Sequence, residues 1–300
     1  MKNHDILVRA VIGDKARAFA LRTTEVVNEA QRRHGTYPVA TAALGRTLTV
    51  TLVLGAMLKG DEPVTVQVRG DGILQGIVAA ADPHGHVRGY VGNPFIHLPL
   101  TVKNKLAVGE AVGKGLLFVI RDLELRESYQ GSVPLQTGEI GDDFAYYFAH
   151  SEQTPSVVSL GVLVNPDHTV LSAGGLVLQL FPGAETDEAF VGELEQVSSS
   201  LPPMSQVFAG DTHPAEVLDK YFGHLGVRVI SEMPVSYQCD CSRERFQRGL
   251  IALGTEELED MITRGEEVET VCRFCGERYH FPLSEIRTML DQLRRPKGEE

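Results

Sequence analysis

The first 238 residues of this 300-residue chain contain no cysteine. Any thiol chemistry is therefore confined to the last quarter. A second absence lies in the middle, where residues 127–219 hold neither lysine nor arginine but fourteen acidic residues. A stretch of that charge cannot wrap a phosphate backbone. It reads as a solvated acidic face, or as a segment held loosely by self-repulsion. No opening segment joins a basic start to an apolar run and a small-residue cleavage site, so a cytoplasmic protein is expected. The most lipid-like run, TAALGRTLTVTLVLGAMLKG, carries Arg46 and many small residues, and it predicts a buried core helix rather than a membrane span. There is no GxSxG elbow, no internal repeat and no low-complexity tract. At 43% hydrophobic and 23% charged residues the composition is that of an ordinary soluble protein, with a net charge of −12.

The apolar pattern predicts an α+β fold. Residues 6–12 and 16–22 alternate as two strands around a Gly13-Asp14 turn. TTEVVNEAQRRHG has the start and stop signals of a helix, and Pro38 opens a longer one to about Lys59. PVTVQVRG reads as a strand, and 73–91 as a hairpin turned at Pro83-His84-Gly85. KGLLFVIRD and SYQGSVPL add strands, DDFAYYFAHSEQ a helix, and 156–181 a further hairpin around Asn165-Pro166-Asp167. Strands that come in hairpins make antiparallel sheets. The expected organisation is a mixed α/β core at 1–183, a helical linker at 184–232 and a small cysteine module at 233–300. The linker is expected to be metastable: serines, prolines and glycine break its acidic helices, so it forms no second core. Its amphipathic pieces, Phe190-Val191-Leu194-Val197 and Val217-Leu218-Tyr221-Phe222, would lie on the core when docked and be sticky when released.

Cys239, Cys241, Cys272 and Cys275 form C-x-C, thirty residues, then C-x-x-C. Two such pairs supply the corners of a tetrahedron, which predicts one Zn2+ with four cysteine ligands and no open position for a substrate. An iron–sulfur cluster is the weaker alternative. Gly276 suits the knuckle turn. Zinc binding to such a module supplies about 10–16 kcal/mol of folding free energy. Disulfides across loops this short would restrict the unfolded chain by roughly 1–2 kcal/mol each. Oxidation would therefore melt the module, and each cysteine has a neighbour able to trap a sulfenic acid. The chemistry fits either a permanent structural zinc or a fuse.

Other candidates are weaker. Gly70, Gly72 and Gly76 are spaced GxGxxxG, which suits a hairpin bend better than a dinucleotide loop. His150-Ser151-Glu152 with the distant C-x-x-C lacks the proline and spacing of a zinc deaminase. Asp142-Asp143 suits a helix start more than a pair of catalytic acids. His34 suits a helix-end cation, and Phe144, Tyr146, Tyr147 and Phe148 suit a core. No enzyme is expected.

With the segments RTTEVVNEAQRRHGTYPVATAALGRTL, LGAMLKGD, GEIGDDFAYYFAHSEQTPS, AGGLVLQLFPG and CDCSRERF in that order, the chain resembles the heat shock protein 33 family over nearly its whole length. The resemblance implies a redox-regulated, ATP-independent holdase chaperone of the oxidative stress response, inactive when reduced and zinc-bound. Oxidation would form Cys239–Cys241 and Cys272–Cys275 disulfides, release zinc and unfold the module and linker. The implied partners are unfolding clients, a second copy in an active homodimer, and ATP-driven foldases downstream; no nucleic acid and no membrane is implied. The competing expectation is a nucleic-acid or ribosome-binding protein with a static zinc module, supported by Arg243, Arg245 and Arg248 on one helix.

Overall fold

A Gly13-Asp14 turn with both residues at positive φ (56° and 52°) matches the twist of two paired strands, and it closes the hairpin of β1 (Ile6–Ile12) and β2 (Ala16–Arg22). The computed structural model describes residues 5–102, 105–121 and 129–294. The expected strand ends at Asp122 and Ser128, and the last six residues of the expected cysteine module, lie outside them. After β2 come α1 (Thr24–His34) and α2 (Pro38–Ala56), then β3 (Val64–Gly70), β4 (Ile77–Ala81) and β5 (His86–Val91). Next are α3 (Val108–Val112), β6 (Gly115–Arg121), β7 (Tyr129–Pro134), α4 (Gly141–His150), β8 (Ser156–Val164) and β9 (Val170–Leu180). Then follow α5 (Glu188–Ser200), α6 (Met204–Val207), α7 (Pro214–Phe222), β10 (Val227–Pro234) and β11 (Ser236–Tyr237).

These elements form one compact unit, Met1–Gln238, with two sheets. One runs β10-β1-β2-β9-β8, antiparallel throughout. The other runs β11-β5-β4-β3-β6-β7, antiparallel except where β11 joins β5. Helix α2 touches strands of both sheets, and 94% of its apolar window is buried. A helix that is apolar all round belongs in a core, as its sequence predicts. Its threonines are buried without loss because Thr47, Thr49 and Thr51 donate to carbonyls one turn back at 2.7–2.9 Å. Gly55 is required: a Cβ there would lie 2.5 Å from the Asp82 carbonyl oxygen.

The other face of the five-stranded sheet is covered by α5–α7. Phe190, Leu194, Met204, Phe208, Val217, Leu218 and Phe222 join Val8, Ala10, Ile12 and Leu176 in a second apolar cluster. Segment 184–232, expected as a linker without a core of its own whose apolar stripes lie on the first domain, places those stripes on this sheet face and builds the cluster jointly with it. The acidic middle is not uniformly solvated either. Asp187 pairs with Lys15, Glu139 with Arg46 (2.6 Å) and Glu152 with Arg121.

Residues 233–238, expected with the cysteine module, pair with strands of the first unit through Pro234 and β11. The second unit, Cys239–Glu300, holds α8 (Arg243–Leu253), α9 (Thr255–Arg264), the hairpin β12 (Val268–Val271) with β13 (Arg278–Phe281), and α10 (Leu283–Arg294). Its buried apolar core is small: Leu250, Leu258, Phe281, Ile286, Met289 and Leu290, with Cys272 and Cys275 buried beside it.

Candidate metal centre

Cys239 and Cys241 stand in the loop that leads into α8. Ser242 caps that helix by accepting the Arg245 N–H at 3.2 Å, which fixes where the loop ends. Cys272 and Cys275 flank the turn between β12 and β13. There Gly276, at φ 76°, donates to the Cys272 carbonyl, and the Cys272 N–H donates to Glu277, both at 2.8 Å. The chain thus folds a C-x-x-C knuckle whose tight bend only glycine accepts without strain.

The four sulfurs, thirty residues apart in sequence, converge. All lie within 4.8 Å of one another, with Cys239 Sγ to Cys272 Sγ at 3.8 Å and Cys241 Sγ to Cys275 Sγ at 3.3 Å. A tetrahedron of thiolates about 2.3 Å from a central ion has edges of about 3.8 Å. The donor set therefore fits a closed four-sulfur centre. All four are free thiols. Without a cation the cluster cannot hold four negative charges. Burial pushes Cys275 up to about 11, and burial with the neighbouring thiols pushes Cys239 higher still. Cys241 goes the other way: burial opposes ionisation, but the Tyr279 hydroxyl and adjacent sulfurs outweigh it.

Tyr279 is the residue that sequence reasoning missed. Its hydroxyl lies 3.1 Å from Cys241 Sγ, and its ring packs against Phe246 at 4.9 Å. A signal existed: an aromatic residue four positions after C-x-x-C, on the strand leaving the knuckle.

The weaker candidates take structural places. Gly70 ends β3 and Gly72 follows in the β3–β4 connection, and a Cβ on them would strike the Val112 and Ala111 carbonyl oxygens at 1.9 and 2.3 Å. Asp143 is buried at the start of α4, where it accepts N–H bonds from Gln136, Thr137, Gly138 and Ile140 at 2.7–3.3 Å. His150 stacks on Tyr146, while Glu152 accepts from the Tyr147 hydroxyl and pairs with Arg121. His34 Nε2 meets the Tyr237 hydroxyl at 3.1 Å. Phe144, Tyr147 and Phe148 are buried and Tyr146 packs on the core. Arg243 pairs with Glu285 at 2.8 Å and Arg245 with Asp240 at 3.2 Å, so two of the three arginines proposed for nucleic acid are already engaged.

Fold and site together define a class: a mixed α/β protein with a separate four-cysteine module able to hold a metal ion. A family model described as Hsp33 protein matches residues 5–282. The 33 kDa chaperonin of Bacillus subtilis (strain 168) is 48% identical over 293 residues, covering 97% of this chain and 100% of that protein. The 33 kDa chaperonin of Geobacillus kaustophilus (strain HTA426) is 48% identical over 287 residues, covering 95% and 97%. The crystal structure of the 33 kDa chaperonin (heat shock protein 33 homologue) of Thermotoga maritima is similar at TM-score 0.88 and 37% identity, covering 97% of this chain and 98% of that one. The chain belongs to the Hsp33 family.

Proposed function

We propose that this protein is a redox-activated, ATP-independent holdase chaperone whose switch is a zinc centre of Cys239, Cys241, Cys272 and Cys275. The observation that carries the reading is the pairing of four converging free thiols with a unit whose buried apolar core is, among the described residues, six side chains. A unit that small depends on its metal, because zinc supplies about 10–16 kcal/mol where whole domains are stable by about 5–15 kcal/mol. Zinc, when bound, holds the sulfurs as thiolates and neutralises their charge.

Activation is a two-electron oxidation at each pair. The Cys239 and Cys241 thiolates lose two electrons and form an S–S bond, while one hydrogen peroxide takes those electrons and two protons to give two waters. Cys272 and Cys275 do the same with a second peroxide. Sulfurs paired as disulfides no longer donate to a metal, so the second unit loses its main support and unfolds. The acidic α5–α7 segment then loosens, and its apolar faces, with the sheet they cover, hold unfolding clients. The active form is a homodimer in the cytoplasm, and clients pass to ATP-driven foldases when reducing conditions return. No catalytic residue takes part.

The test follows zinc release and aggregation of a denatured client side by side, before and after peroxide at mild heat. Zinc loss with new anti-aggregation activity, both reversed by a reductant, is expected. Zinc retained through oxidation, or lost with no gain of activity, would mean a static structural module.

A further inference from the structure

Strand β10 is an unusual cover. None of its eight residues is buried, and Val229 and Ile230 are 42% and 48% exposed. The strand it covers is the opposite: Leu7, Val8, Ala10 and Ile12 of β1 are at most 2% exposed. Besides its backbone ladder, β10 is held by the partly buried Val227 and Met233 at its two ends and by exposed pairs of Arg228 with Asp14 and Glu232 with His213. A strand with so little buried apolar surface detaches at low cost. The ladder is also interrupted. Register shifts between Arg9 and Ala10, which pair with Ser231 and Val229, so Ile230 bulges out. Its side chain lines a cleft of about 440 Å³ with Arg9, Phe19, Met57, Leu58 and Phe181.

Arg17 and Lys59 stand on the same cleft, which gives an apolar floor three cations. Among the described residues, no carboxylate is in salt-bridge contact with any of the three, and Arg17 feels the charge of Glu152 only at longer range. Arg9 donates to the Ala56 carbonyl and lies over the Phe19 ring at 5.4 Å, and its buried Nε has no partner. Arg17 donates only to the Gln179 side chain, at 2.8 Å. In a chain of net charge −12, a cleft with three cations and no carboxylate in direct contact, beside a weakly covered sheet edge, is a binding feature.

We infer that the β1 edge and this cleft form a docking strand for an extended segment of an unfolding protein, which takes the place of β10. The favoured segment is apolar, with a large aliphatic side chain where Ile230 sits and acidic residues flanking it. The edge offers main-chain N–H and C=O groups that any sequence can pair, and the cleft supplies the preference. This inference rests on the proposed switch: β10 ends five residues before Cys239, and its release requires the intervening β11, which pairs with β5, to come away once the second unit has unfolded.

The probes are two fluorescent peptides with the same valine- and isoleucine-rich core, one flanked by glutamates and one by lysines. Anisotropy is measured with the full chain, zinc-loaded and after peroxide, alongside amide exchange of β1. After peroxide, the β1 amides that face β10 should lose protection and regain it with peptide. The glutamate-flanked peptide should bind about tenfold more tightly than the lysine-flanked one, since each partly screened ion pair is worth a fraction of that. Arg17→Gln with Lys59→Gln should abolish the preference and leave the core-dependent binding. Peroxide-induced chaperone activity with β1 still protected, or equal affinity for both peptides, would overturn the inference and spare the switch. No activity after peroxide would overturn the switch itself.

Discussion

Asp5 stands at the foot of β1, only 2% exposed. One carboxylate oxygen accepts the Val26 N–H at 2.8 Å, while the other has no partner. Burial pushes this acid up to about 7 from an ordinary 3.8, and the Val26 N–H and the Arg22 charge offset only part of that. The folded protein therefore keeps a proton that the unfolded chain releases. Below about pH 4 both states are protonated and Asp5 costs nothing. Between about pH 4 and pH 7 stability falls as pH rises, and above that range the cost is on the order of 4 kcal/mol. Asp5→Asn keeps an acceptor for Val26 without the charge. Its urea midpoint, followed by circular dichroism, should exceed the parent's at pH 8 and match it near pH 4; equal midpoints at both would sink the account. At this scale the cysteines were legible because metal chemistry demands a residue type at a spacing. Tyr279 and Asp5 were not: a tyrosine is usually core, and an acid near the start of a chain is usually solvated.

At the scale of elements, α2 was legible because no face of it is polar, whereas α5–α7 showed only stripes. Their partner, the outer face of the five-stranded sheet, is assembled from strands as much as about 200 residues away, Val8 of β1 against Phe222 of α7, and is invisible to local pattern. Phe222 of α7 is fully buried in that joint cluster. Phe222→Ala removes its transfer energy and leaves a cavity, at about 3–5 kcal/mol. Limited proteolysis of the zinc-loaded variant should cut within residues 184–226 sooner than in the parent, with α2 untouched. An unchanged cutting rate would show that α7 does not anchor the segment. β10 escaped the sequence reading for a related reason. Its residues VRVISEMP lie on an edge with no buried side, so the inward-outward alternation that marks a half-buried strand carries no force there.

At the scale of the molecule, the two units differ in what holds them. The first has a helix buried between two sheets and an apolar cluster on the far face of one of them. The second has, among the described residues, an apolar core of six buried side chains and four thiols. Removing metal with a chelator under reducing conditions should therefore unfold only the second unit. Helical signal from α8–α10 should fall, while amide protection in α2, β2 and β9 persists. Loss of protection throughout would mean the units unfold as one. What the sequence by itself determined is local: a ligand set follows from residue type and spacing, a core helix from uniform apolarity, a hairpin from its turn residues. What only the tertiary structure decided is which surfaces meet. The convergence of two cysteine pairs on one point, the sheet face under α5–α7 and the thinly held cover on β1 all join residues distant in sequence. No nearest-neighbour preference encodes such pairings, because their free energy comes from area buried between elements rather than within them.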